Sequence, residues 1–92
     1  MNLVNVGDKW DGLYRFIFFD IPEDQRKVRR ALRQALRGAK AVLWQRSVWV
    51  TKQNITQPFN SFIIENNLSD FVDIVEVKEI YNVKLKKLLD QP

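Results

Sequence analysis

Residues 13–20 are dominated by aromatic and branched side chains, and the run stops at Ile21-Pro22, which predicts a β-strand. From Pro22 to Gly38 the apolar positions return at helical spacing instead. Pro22 suits a helix entry turn, Glu23 and Asp24 favour the positive N-terminus, and Gly38 is the expected stop. The β-formers of residues 41–52, AVLWQRSVWVTK, run too long for one typical strand, so two neighbouring strands are expected with a break at residues 45–47. Thr56 and Pro58 open a second helix with Phe59, Phe62 and Ile63 on one side, and Asn66-Asn67 end it. Residues 71–77, FVDIVEV, alternate as a last strand does. The tail spaces Leu85, Leu88 and Leu89 as a short amphipathic helix would, or else pairs with a partner.

This order, β-α-β-β-α-β, is the split βαβ signature of a ferredoxin-like α+β sandwich: an antiparallel sheet with two helices on one face. Residues 1–12 form a lead-in closing at Asp11-Gly12, residues 13–78 the core, and residues 79–92 a C-terminal extension. Two helices leave the second sheet face bare. In the first strand Tyr14, Phe16 and Phe18 point to one side and Leu13, Ile17 and Phe19 to the other, so both faces are apolar. Apolar patches of that size are uncommon on monomers, so a homodimer joined through the open faces, or through an added tail, is expected. Tyr14, Phe16, Phe18 and Trp49 are its candidate interface.

Composition narrows the chemistry. With 92 residues, 46% of them apolar, the chain suits a single compact domain whose core leans on three Trp, six Phe and two Tyr. It has neither cysteine nor histidine. Disulfides, thiolate nucleophiles, histidine general bases and ordinary zinc sites are therefore excluded, and any catalysis must use carboxylates, lysine, tyrosine, hydroxyls or a hard metal held by oxygen. The N-terminal residues carry no basic segment followed by an apolar run, and no stretch approaches a membrane span, so a soluble, cytoplasmic protein is expected.

The formal charge of +4 matters less than its placement. Seven of the 15 basic residues lie at positions 26–40 with no acid among them. At about 100° per residue, Arg26, Arg29, Arg30, Arg33, Arg37 and Lys40 share one side of the helix, with Lys27 at its edge. Val28, Leu32, Ala35, Leu36 and Ala39 lie opposite. A solvent-facing helix usually mixes signs, because opposite charges four residues apart stabilise it and like charges oppose it. The pattern points to phosphate contacts, above all with duplex DNA and without strong base preference, since few Asn or Gln side chains are present to read base edges. The plainer alternative is a solvated face whose arginines pair with carboxylates such as Asp24, Glu65 or Glu76.

Asp20 ends the first strand on the side of Phe16 and Phe18. A two-fold axis there would bring two such carboxylates together, and with waters and a substrate phosphate they would make an oxygen site for Mg²⁺ shared across the dimer. Ser47 could orient a water or phosphate beside it. The structural alternatives are that Asp20 caps the turn before the helix and that Ser47 simply belongs to a turn.

These residues carry a resemblance. FFDIPEDQRKVRRALRQAL, the following Gly38 and LWQRSVWV resemble the small CRISPR-associated endonuclease that partners the integrase in spacer acquisition: strand-Asp, arginine-bearing helix, glycine, then Gln45-Arg46-Ser47-Val48-Trp49. The match covers residues 13–52 well and the rest loosely. It implies a ferredoxin-like homodimer, DNA held on basic surfaces, an integrase partner in antiviral defence, and, in some members, magnesium-dependent nuclease activity at the aspartate matched by Asp20. KWDGLYR, Pro22-Glu23 and Trp49 are similar to the central domain of PaaX-type transcriptional repressors, which shares the fold and implies dimerisation without catalysis. Stand-alone length and an intact Asp20 favour the CRISPR-type reading; an excised fragment would favour the repressor domain. RNA-recognition motifs share the topology, but RSVWVTK has no glycine and only one aromatic where their binding strand is aromatic-rich.

Overall fold

The computed structural model describes residues 9–91. The elements follow the expected order: β1 (Tyr14–Phe19), a 3₁₀ turn (Glu23–Gln25), α1 (Arg26–Gly38), β2 (Val42–Gln45), β3 (Val48–Thr51), α2 (Thr56–Glu65), β4 (Val72–Val77) and α3 (Val83–Leu89). The strands form one sheet in the order β2-β3-β1-β4, with every neighbouring pair antiparallel. This is the ferredoxin-like α+β arrangement. Residues 1–8 of the expected lead-in lie outside the described residues.

Both long helices end in the same way. Ala41 N–H donates to Leu36 O at 2.9 Å and Lys40 N–H to Arg37 O at 3.0 Å. At the end of α2, Leu68 N–H donates to Ile63 O at 2.9 Å and Asn67 N–H to Ile64 O at 3.2 Å. These are Schellman closures, which require a left-handed residue just beyond the helix. Asn67 supplies it for α2 at φ 55, as expected, but for α1 it is Lys40 at φ 58, while Gly38 is still helical. The strain at Lys40 is offset by local bonds: the buried Thr51 hydroxyl donates to Ala39 O at 2.9 Å, fixing the turn against β3.

On one sheet face, Ile17, Phe19, Trp49 and Val72 pack against Leu32, Leu36, Phe59 and Ile63 of the two helices. On the other, Tyr14 and Val50 pack against Ile80 and Leu85. The C-terminal extension thus folds back as α3, with Leu85 as its buried anchor, and covers part of the face expected to be bare.

That placement corrects two of the four expected interface residues. Trp49 pairs in register with Ile17 and shares its helix-covered face, only 4% exposed, because the β1–β3 register sets the phase of β3. Tyr14 is buried under α3 of its own chain. Phe16 is half-buried beside it, and Phe18 is 41% exposed. Among the described residues Phe18 and Val75 are the exposed large apolar side chains of that face on β1 and β4, with the exposed Asp73 opposite Phe18.

Candidate functional site

The helix α1 is built from strong helix formers and packs through Leu32 and Leu36, which are fully buried. Its opposite side therefore faces away from the sheet. Arg26, Lys27, Arg30, Arg33 and Arg37 are exposed there and Arg29 is half-buried at the margin. Lys40 is exposed in the turn that follows. Arg26, Arg30, Arg33 and Arg37 recur at four-, three- and four-residue intervals, so they form a straight stripe of about 16 Å, at 1.5 Å rise per residue. Arg26, Arg29, Arg30, Arg33 and Arg37 frame a shallow hollow of about 350 Å³ with Gln34.

The stripe is electrostatically unspent. The ion pairs among the described residues join Arg15 to Asp11 and Glu76, and Lys52 to Asp90; none involves a cation of α1. Asp24, Glu65 and Glu76, the carboxylates offered above as partners for these arginines, do not pair with them. Neighbouring guanidinium groups thus repel one another along the helix, a cost that a polyanion would relieve.

A second candidate region lies at the C-terminal end of β1. Phe19 N–H donates to Ser47 O at 3.3 Å and Asp20 N–H to Phe71 O at 2.9 Å, so the β2–β3 turn and the loop before β4 converge on Asp20. Asp20 and Ser47 line one open hollow of about 390 Å³, together with Ser69, Asp70 and Asp73. The expected pair is therefore brought together, and Asp70 and Asp73 join it unannounced. The 3₁₀ turn that follows receives no side-chain cap, so the capping role offered for Asp20 is not seen there. Among the described residues no three acidic side chains converge closely enough to hold a metal ion. Within the hollow one chain offers the side-chain oxygens of Asp20, Ser47, Ser69, Asp70 and Asp73, which water, substrate or a second chain would supplement around magnesium.

A third cluster escaped sequence reasoning. Arg15 is 1% exposed, yet its guanidinium donates to Glu76 at 3.0 Å, to Asp11 at 2.8 Å, and to the carbonyls of Leu13 and Lys52. Thr56 Oγ donates to the same Glu76 oxygen at 2.8 Å. The hydrogen bonds from Arg15 hold the Asp11 carboxyl below its ordinary range, and the same bonds raise the Arg15 guanidinium. The available signal was the i,i+4 spacing of Asp11 and Arg15, with Arg15 on the strand face otherwise given to the core. Beside it, Lys52 Nζ sits 4.2 Å from the Trp10 ring centroid and 2.9 Å from an Asp90 carboxylate oxygen. The lead-in and the end of α3 are thereby clasped by one lysine.

A ferredoxin-like domain with an unpaired polycationic helix and a chain-derived cover on its second sheet face is the class these features define. The family model described as the PaaX protein central Cas2-like domain matches residues 7–89, and the chain belongs to that family. Both resemblances drawn from the sequence meet in this description. No curated protein matches the chain.

Proposed function

We propose that the chain acts as a pairing and nucleic-acid-contacting domain of a PaaX-type transcriptional regulator, with α1 laid against the phosphates of duplex DNA and the open remainder of the sheet face joined to a second copy. The observation that carries the reading is the α1 stripe, whose cations have no carboxylate partner among the described residues. Phosphate oxygens supply the missing counter-charges, and arginine forks meet them in planar geometry. Binding of this kind is insensitive to base sequence and steep in salt. The test is a titration of the full chain with duplex DNA between 50 and 200 mM salt, on the order of the range over which phosphate contacts are lost. Arg30→Ala with Arg37→Ala should reduce the salt slope by about 2, near one per phosphate contact. A flat salt response in the unaltered chain would overturn the reading.

The hollow shared by Asp20 and Ser47 favours a second reading, in which a dimer holds Mg²⁺ through one Asp20 from each copy and hydrolyses phosphodiesters, as the CRISPR-type resemblance implies. Magnesium bound there would neutralise charge on a scissile phosphate. In this reading Asp20 is the ligand and Ser47 a hydrogen-bonding group, with Asp70 and Asp73 on the same hollow. An integrase partner belongs to this reading alone. It is checked with labelled DNA and RNA plus Mg²⁺: Asp20→Asn should abolish cleavage, and equal cleavage by both proteins removes Asp20 from the role.

A further inference from the structure

At the β2 edge of the helix-covered face lies a smaller hollow, about 210 Å³, with Phe19, Leu43 and Trp49 as its floor. Its rim is Arg33 and Arg37 from α1 and Arg46 from the β2–β3 turn. It shares Arg33 and Arg37 with the arginine stripe, and three features bear on its ligand. Leu43 is 53% exposed, although its cross-strand partner Trp49 is buried. The three arginines have no carboxylate partner among the described residues. And among the described residues β2 pairs with β3 alone, so its outer edge offers backbone N–H and C=O groups to another strand.

An apolar floor ringed by arginines has no use for a DNA duplex, whose phosphates would meet the cations and leave Leu43 idle. An unpaired base needs an exposed aromatic face to stack on, and Trp49 and Phe19 are both below one-tenth exposed. The complementary ligand has an apolar side chain with carboxylates on either side. In an extended chain, residues two apart fall on one face about 6.6 Å from each other, so acid, apolar and acid at alternate positions meet the rim and the floor at once.

We propose that the β2 edge captures an extended acidic peptide segment of a protein partner. The segment pairs with the outer edge of β2, lays one large apolar side chain on Leu43, and gives its flanking carboxylates to Arg33 or Arg37 and to Arg46. Affinity then comes from the strand pairing, and selectivity from the hollow.

The experiment titrates the full chain with the labelled peptide Ser-Asp-Glu-Thr-Leu-Thr-Asp-Glu-Ser, with the same peptide carrying serine in place of leucine, and with a single-stranded oligonucleotide of equal charge. The leucine peptide should bind saturably and shift the Leu43 methyl resonances, and the serine peptide should bind about tenfold more weakly. Leu43→Ser should cost about the same factor while leaving duplex-DNA binding as it was, because the formal charge is unchanged. Arg46→Ala should weaken the peptide as well. Equal binding of the two peptides would overturn the proposal, as would an oligonucleotide that shifts the Leu43 methyls when the peptide does not. Circular dichroism of Leu43→Ser establishes that its fold is retained. Arg30→Ala alone separates the two readings, because Arg30 lies on the stripe but outside the hollow: it should weaken duplex-DNA binding and leave the peptide as it was.

Discussion

Arg15 and Glu76 are direct partners across the β1–β4 pair, and the buried guanidinium donates to the carboxylate at 3.0 Å. An arginine so enclosed persists only because each side of its fork finds an acceptor. Removing it leaves Glu76 and Asp11 without their cation and opens a gap beneath α2. Arg15→Ala should destabilise the fold by about 2 kcal/mol, below the range for a fully buried pair because the two carboxylates left behind are 36% and 37% exposed. Urea unfolding measures this, and a loss under about 1 kcal/mol would mean that the cluster is dispensable.

The same cluster sets an acid limit. Asp11 is held below its ordinary value of 3.8 chiefly by the hydrogen bond from Arg15. A carboxyl whose pKa is lower folded than unfolded contributes its stability above the unfolded value and loses it as the pH falls through the folded one. Stability should therefore fall below about pH 4, and Asp11→Asn should flatten that part of the profile while leaving the slope at higher pH alone. An unchanged acid limb in the variant would show that the pair does not couple to folding.

The Lys52 clasp should hold α3 on the sheet. Lys52→Met removes both the cation over Trp10 and the pair with Asp90, each worth about 0.5–1 kcal/mol at a partly exposed site. The Leu85 amide, which donates to the Asn82 side chain at the start of α3, should then exchange with deuterium several-fold faster. Exchange at Ile17, within the strand core, should not change.

Self-association should depend on the part of the sheet that α3 leaves open. Phe18→Asp with Val75→Asp places charge on two exposed positions without touching the buried clusters. Sedimentation should show the unaltered chain as a dimer at micromolar concentration and the variant as a monomer of the same fold. A Trp49→Phe variant should remain dimeric, because that ring packs under the helices. Dimer formation by the charged variant would place the interface elsewhere.

Much of the fold is legible in the sequence. The break at residues 45–47 between β2 and β3, the end of α2 at Asn66-Asn67 and the helix in the tail all follow from local pattern. Gly38 misled in one detail: the left-handed position falls two residues later, on Lys40, because the Schellman bonds from Lys40 and Ala41 set the end of α1. Trp49 misled in another. Alternation tells which residues of β3 share a face, but whether that face is Phe18's or Ile17's depends on which residue lies opposite on β1. Arg15 was visible as a charge on a core-facing position, yet its partners are 4 and 61 residues away, and only the latter needs the sheet to meet it.

By itself the sequence determined the order of the elements and the basic stripe of α1, since both rest on periodicities that successive residues carry in their own backbone geometry. Only the tertiary structure decided that Trp49 is core, that α3 covers Tyr14, that Asp20 and Ser47 share a hollow, and that Leu43 lies open among three arginines. Those facts join residues from different elements. Strand register and the landing of one packed surface on another set them, and neither is encoded at any single stretch of chain.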